Sequence, residues 1–214
     1  KSGYSLSGTG YFAKFGIIVN PVKGLRFGIT LQTPTRTQID ERWEDEGETD
    51  FVGPDGKSYS ALSPYGENSW TFTSPLKAGF GAAFTFGQVG SVSADYELSN
   101  YGNIRYRSSD YTDRDILEDI NEDIRNSYGV SHNIRAGIEI KPTPAFAVRA
   151  GYNMKSSAQK AIWDSFSGEY LKMNKVFTHK ASVGLGYSSK GSFFADLALT
   201  RTFIPREYFM PYDD

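Results

Sequence analysis

Tyr11–Gln32 reads Tyr-Phe-Ala-Lys-Phe-Gly-Ile-Ile-Val-Asn-Pro-Val-Lys-Gly-Leu-Arg-Phe-Gly-Ile-Thr-Leu-Gln. Tyr11, Ala13, Phe15, Ile17 and Val19 recur every second residue, against Lys14, Gly16 and Asn20. After Pro21-Val22-Lys23-Gly24 the period resumes, with Leu25, Phe27, Ile29 and Leu31 against Arg26, Gly28, Thr30 and Gln32. A period of two on either side of a Pro/Gly turn predicts two antiparallel strands. The same unit recurs along the chain. Short turns at Asn20–Gly24, Gly87–Gly90, Lys141–Ala145 and Ser188–Ser192 alternate with long polar connections, and eight alternating strands run between them.

The remaining strands keep the pattern. Leu76, Ala78, Phe80, Ala82, Phe84 and Phe86 oppose Lys77, Gly79, Gly81 and Thr85, and Val92, Ala94, Tyr96 and Leu98 oppose Ser93, Asp95, Glu97 and Ser99. Ile134, Ala136, Ile138 and Ile140 oppose Asn133, Arg135, Gly137 and Glu139. Phe146, Val148, Ala150, Tyr152 and Met154 oppose Arg149, Gly151, Asn153 and Lys155. Phe177, Ala181, Val183, Leu185 and Tyr187 oppose Thr178, Lys180, Ser182, Gly184 and Gly186, and Phe193, Ala195, Leu197 and Leu199 oppose Asp196, Thr200 and Thr202. Each run is close to the roughly 9–11 residues that cross a bilayer as a tilted strand.

Alternation of this kind also suits a soluble sandwich. Three features favour a transmembrane barrel. Turn lengths are segregated by side, with brief turns at one end and long loops at the other. Aromatics gather towards strand ends (Tyr11, Phe86, Tyr96, Phe146, Tyr152, Tyr187, Phe193), as in interfacial girdles. Glycine concentrates on the polar face, at positions 16, 28, 79, 81, 137, 151, 184 and 186. There it would weaken a solvated strand without return, but inside a barrel it leaves room for another backbone to approach. The expected fold is therefore all-β: a transmembrane antiparallel barrel, one segment over residues 1–214, with outer loops at about 34–70, 109–128 and 161–174.

Composition agrees. Aromatics are 15% of the 214 residues while mean hydropathy is only −0.44, the mixture of a wall half in lipid and half in water. No apolar run approaches the roughly 20 residues of a membrane helix. The net charge of −2, with scattered basic residues, argues against nucleic acid as a partner. Cysteine is absent, which removes disulfides and thiolate metal sites. The start at Lys1-Ser2-Gly3-Tyr4 lacks a signal peptide, and both ends are expected to be cut inside a longer fold.

Enzymatic chemistry has little support. His179 falls in the lipid phase of its strand and His132 near the outer end of another, neither with a nucleophile at recognisable spacing. The acidic run from Asp40 to Asp50, around Arg42 and Trp43, lacks calcium-loop spacing and reads as a solvated loop. Asp110, Asp113 and Asp115 read as helix-capping residues. No catalytic residue, metal site or cofactor is expected.

Binding is expected at the outer end. Asp113–Arg125 predicts an amphipathic helix with Ile116, Ile120 and Ile124 on one face, capped by Asp110 or Thr112 and ended by Gly129. Its stripe would pack as a lid on the barrel mouth or line an entry site. Trp43, Phe51, Tyr59, Tyr65 and Trp70 in one loop, and Trp163, Phe166 and Tyr170 in another, suit capture of an apolar solute, contact with a partner, or packing of loop on loop. Trp43, Trp70, Ile116, Ile120, Trp163 and Phe166 are the candidate substrate-binding residues. The polar face carries both signs with basic residues in excess (Lys14, Arg26, Lys77, Arg135, Lys141, Arg149, Lys155 and Lys180 against Asp95, Glu97, Glu139 and Asp196). It fits a lumen neutralised by ion pairs and water, or one that attracts an anionic head group or an acidic plug segment.

Gly8–Thr30, with its Gly-x-Gly start, proline turn and Leu-Arg-aromatic-Gly strand, resembles the FadL/TodX family of outer-membrane transporters of hydrophobic compounds. Ser93–Glu97, Ser131–Glu139 and Pro144–Tyr152 extend the resemblance, in forms similar to those of Bacteroidetes-type bacteria, over most of the chain. It implies a barrel of about fourteen strands in the bacterial outer membrane, blocked by an N-terminal hatch. It also implies passive uptake of long-chain fatty acids or aromatic hydrocarbons, with lateral escape through the wall. The expected partners are the lipid bilayer and a hydrophobic small molecule or detergent. The hatch and further strands are expected outside this segment, which ends at Asp214 rather than at a terminal aromatic. The alternatives are a barrel partner in an outer-membrane secretion or assembly complex, and a closed eight-stranded barrel whose interior side chains fill.

Overall fold

A computed structural model describes residues 2–50, 58–108, 114–189 and 193–205. Phe51, Asp110, Thr112, Asp113, the tip of the Ser188–Ser192 turn and the C-terminal residues lie outside that set. In chain order the elements are β1 (Ser2–Tyr11), β2 (Lys14–Val22), β3 (Leu25–Gln32), β4 (Arg36–Asp50), β5 (Ser58–Leu62), β6 (Gly66–Thr73), β7 (Lys77–Thr85), β8 (Gly90–Asn100) and β9 (Arg105–Ser108). Then come α1 (Arg114–Ser127), β10 (Val130–Thr143), β11 (Phe146–Ser156), β12 (Ala161–Asp164), β13 (Glu169–Lys172), β14 (Phe177–Ser189) and β15 (Phe193–Phe203).

The eight strands read from the alternation form one antiparallel meander in the order β15-β14-β11-β10-β8-β7-β3-β2. Among the described residues the sheet is open, with β2 and β15 at its edges. The short turns bind as their residues require. Gly24 (φ 87°) and Gly87 (φ 59°) take the left-handed conformation that favours glycine, and Thr85 N donates to Gly24 O (2.9 Å), tying the first turn to the end of β7.

The register places the two phases of every strand on two faces. Ile17 pairs Ile29, Ile29 pairs Phe80, Phe80 pairs Tyr96 and Tyr96 pairs Ile134, so one face is apolar across the sheet. Asp95 pairs Arg135, Glu139 pairs Arg149, and Gly151 pairs Ser182 on the other. The apolar face has no protein cover: Phe15 is 63% exposed, Leu197 73% and Leu199 72%. Ala147 and Ala161 are the only buried apolar side chains among the described residues. A water-soluble sandwich would hide this face; here it is the hydrocarbon contact of a transmembrane barrel wall. Aromatic contacts bracket it. Phe84–Phe86, Phe146–Tyr187 and Tyr187–Phe193 gather near the short turns, with centroids 5.2, 5.0 and 6.4 Å apart. Tyr96–His132 and Tyr152–His179 lie towards the long connections, each pair 6.0 Å apart. No helix among the described residues is long and apolar enough to cross a membrane.

The polar-face glycines act differently from expectation. A Cβ at Gly81 would meet Asp95 Oδ1 at 2.7 Å, one at Gly79 Thr30 Oγ1 at 2.7 Å, one at Gly151 Ser182 Oγ at 2.7 Å and one at Gly186 Asp196 Oδ1 at 2.7 Å. They seat polar side chains from adjacent strands.

The long connections are themselves largely strands. β1, β4, β6 and β9 form a second ladder, with β5 added to β4, and β12–β13 form a separate hairpin. β1 runs into β2, β3 into β4, β6 into β7 and β8 into β9, so this ladder prolongs β2-β3-β7-β8 beyond a shared break. Pro34 and Pro75, which carry no N–H, fall in that break. Side chains close it: Thr33 N donates to Ala13 O and Ala13 N to Thr33 Oγ1, while Thr35 N donates to Ser74 Oγ and Ser74 N to Thr35 O, all at 2.9 Å. The acidic run expected as a solvated loop is therefore strand β4. Its charges do not prevent pairing because β1 and β6 satisfy its backbone from both sides.

Candidate functional site

The lumen face has two charged levels. Nearer the short turns, the Arg149 guanidinium donates from Nε to Glu139 Oε2 (2.6 Å) and from Nη1 to Asp196, and Lys141 lies 3.4 Å from Glu139 Oε1. This group ties β10 and β11 to β15 across β14, where Gly186 leaves the room that Asp196 and Arg149 occupy. Towards the outer end, Arg135 pairs with Glu97 at 2.9 Å. Among the described residues Lys14, Arg26, Lys77, Lys155 and Lys180 have no carboxylate within ion-pair reach. Ion pairs therefore hold Arg149 and Lys141 at the inner level, where Arg26 beside the first short turn has none, while Lys14, Lys77, Lys155 and Lys180 lie without ion pairs towards the long connections.

Two concavities line this face. A groove of about 400 Å³ has a floor of Gly16, Gly28, Gly79 and Gly81 beside the lumen-phase Ile18, and a flank of Asp95, Glu97 and Arg135. A cavity of about 510 Å³ opens at the outer end of β10, β11 and β14. Tyr101, Tyr128, Met173, Val176 and Pro205 supply its apolar walls, and Lys155, Ser131 and Thr178 its polar side. Lys155 Nζ sits 5.9 Å from the Tyr101 ring centroid, within cation–π reach.

Local hydrogen bonds hold those walls. Tyr101 begins a short 3₁₀ turn, Tyr101–Asn103, capped by Asn100 Oδ1 accepting from Gly102 N at 3.2 Å. Arg105 Nη1 donates to Gly102 O (2.9 Å) and Ile104 O (2.6 Å). Partial burial, then the neighbouring Arg125 and Arg107, lower the affinity of that guanidinium for its proton. Tyr101 N donates to Gly129 O (2.9 Å) and Gly129 N to Ala158 O (2.8 Å), bringing three connections together. Ser131 and Ser156 are buried. Ser131 Oγ donates to Ser156 O (2.7 Å), and His132 N to Ser156 Oγ (2.9 Å), pinning the outer ends of β10 and β11.

The residues singled out from the sequence do not converge here. Trp43 lies on β4 with its ring over Gly66, and Trp70 on β6 packs against Tyr106 with the rings tilted and centroids 5.4 Å apart. By the register both share one face of the outer ladder. Trp163 on β12 packs against Tyr170 (4.9 Å) beside Asp119, Glu122 and Asp123 of α1, around a recess of about 380 Å³. Phe166, at the hairpin tip, is 95% exposed. Ile116 and Ile120 are exposed, so the isoleucine stripe does not pack as a lid; the covered line is Leu117, Asn121 and Ile124. The physical reason is Asn121, whose side chain accepts from Tyr106 N and donates to Tyr106 O (2.8 Å each), fixing the helix to the edge of β9. Sequence reasoning missed Tyr101, Tyr128, Met173 and Val176, which sit at strand ends and in connections without periodicity.

No protein-family model matches the chain, and no curated protein matches it. Solved structures do. The CymD monoaromatic hydrocarbon channel superposes with a TM-score of 0.53 at 11% identity, over 90% of this chain and 46% of that one. A Pseudomonas aeruginosa FadL homologue gives 0.45 at 10%, over 94% of this chain and 61% of that one. The chain thus spans about half the length of the first. The fold shared with the CymD channel is a transmembrane antiparallel β-barrel wall, represented here by eight strands.

Proposed function

We propose that this wall belongs to a passive channel of the bacterial outer membrane that admits hydrophobic small molecules, long-chain fatty acids among them, without a cofactor. The observation that carries the reading is the 510 Å³ cavity at the lumen mouth, where tyrosine, methionine and valine surfaces face Lys155. Ligand sites of this kind are mostly apolar with a few placed polar groups. An acyl chain fits the Tyr101–Tyr128–Met173 side, and its carboxylate fits the ammonium. The glycine-floored groove offers a second apolar surface on the same face, and the unpaired lysines raise the local concentration of anions. The likeness to a hydrocarbon channel supports the transport class.

The test is equilibrium binding of a fluorescent polyene fatty acid to the full-length protein in detergent, with neutral p-xylene as competitor. Saturable binding, weakened about tenfold by Lys155→Glu, is the expected result, since one charge-assisted contact is worth roughly 1.5 kcal/mol. Competition by p-xylene should not depend on the charge at position 155. Failure of both compounds to bind saturably would overturn the reading.

A further inference from the structure

We propose that the outer rim of the lipid-contacting face carries a site for a phosphate of an outer-leaflet glycolipid, built from Arg201, Tyr152 and His179. This goes beyond the transport reading and rests on the outer-membrane location proposed above and on the orientation of the wall.

Every lipid-phase position on the eight wall strands is uncharged or histidine except Arg201. The register sets Arg201 opposite Ala181, and Ala181 opposite Tyr152, so a small methyl floor lies between a cation and a phenol. Two inter-strand steps of about 5 Å put their backbones roughly 10 Å apart, a gap that suits one phosphate group. His179 closes the third side: Tyr152 Oη and His179 Nδ1 are 2.7 Å apart. If the hydroxyl donates, the ring keeps its proton on Nε2; if Nδ1 donates, the hydroxyl hydrogen is free. Either way the pair retains one unused donor. Among the described residues no carboxylate pairs with Arg201.

Height decides what this notch meets. Phe193 belongs to the inner aromatic girdle, and Arg201 is eight residues further along β15. At about 3.3 Å per residue and a tilt near 40°, that is roughly 20 Å up an apolar band roughly 25 Å tall. The guanidinium lies 4.8 Å from the ring centroid of Phe203, the next lipid-phase residue towards the outer end. The backbone is therefore about 5 Å short of the outer edge of the band, and the long arginine side chain reaches the head groups of the leaflet beneath the long connections. A guanidinium fork beside a ring or hydroxyl donor recognises a phosphate monoester better than it does a zwitterionic head group.

Full-length protein in detergent would be incubated with purified bisphosphoryl lipid A, dephosphorylated lipid A or phosphatidylglycerol, and retention read by native mass spectrometry. The expected result is one retained bisphosphoryl lipid A, with retention about tenfold weaker for Arg201→Gln and for the dephosphorylated lipid. Arg201→Lys should restore part of it, and Tyr152→Phe should weaken it. Heat-modifiable mobility confirms that each variant is folded, and fatty-acid binding at the lumen should be unchanged. Equal retention by wild type and Arg201→Gln, or of phosphorylated and dephosphorylated lipid, would overturn the site. Equal retention of phosphatidylglycerol would overturn its assignment to a glycolipid.

Discussion

Three glycine-to-alanine substitutions that look alike in sequence should separate by several kcal/mol, because the wall uses each glycine differently. At Gly28 the nearest atoms to an added Cβ are Ile17 O and Ile18 Cγ1 at 3.9 Å, an ordinary contact. Alanine there removes unfolded-chain entropy at no steric cost and should stabilise by about 0.5–1 kcal/mol. At Gly186 the Cβ would lie 2.7 Å from Asp196 Oδ1 and 3.0 Å from Arg149 Nη1, both ends of movable side chains. Alanine must push the Arg149–Asp196 bridge aside, and since that pair is about half exposed the loss is about 0–1 kcal/mol. The net change should be near zero. At Gly90 the Cβ would meet Glu139 O at 2.2 Å, with Glu139 C and Ile140 Cα at 3.2 Å. Those are backbone atoms of a paired strand, so β8 and β10 must separate, at a cost of about 1–3 kcal/mol. Urea unfolding of the full-length barrel in micelles, followed by heat-modifiable mobility, would give the ranking Gly28→Ala above Gly186→Ala above Gly90→Ala. A Gly90→Ala protein as stable as Gly28→Ala would refute the close packing inferred at the β8–β10 pair.

Asn121→Ala should release α1 from β9, losing two hydrogen bonds at about 1 kcal/mol each, and raise hydrogen exchange in β9 and α1 while the wall strands stay protected. At the β12–β13 turn, the Ser167 side chain and the Phe166 and Ser167 backbone N–H groups hold the Asp164 carboxyl below its usual range. Its contribution is therefore present above the unfolded carboxylate value of about 4 and is lost as pH falls through the lower folded value. Trp163 emission should report that local loosening below about pH 4, and Asp164→Ala should remove the pH dependence. Replacing Glu139 by Gln should weaken the Arg149 contact without affecting fatty-acid binding at the outer cavity, because the two lie at different levels of the lumen; equilibrium binding to the polyene probe checks this.

The sequence alone determined the wall. Side chains alternate sides on any pleated strand, so Phe15, Ile29, Phe80 and Leu197 could be assigned to one face and Arg26, Asp95 and Arg149 to the other without coordinates. The proline and glycine turns set which end is tight, and the i, i+4 isoleucines announced α1. What escaped it depends on neighbours from distant parts of the chain. β1 and β4 are rich in serine, glycine and charge and carry no strand signal of their own; they pair because β2 and β3 deliver them side by side past the proline break. Only the register decides that Arg149 is neutralised while Lys155 and Lys180 are not, since its carboxylate partners Glu139 and Asp196 come from other strands and must be brought within 4 Å. The mouth cavity is likewise a product of tertiary structure: Tyr101, Tyr128 and Met173 lie far apart in the chain, and backbone hydrogen bonds between three connections bring them to one place.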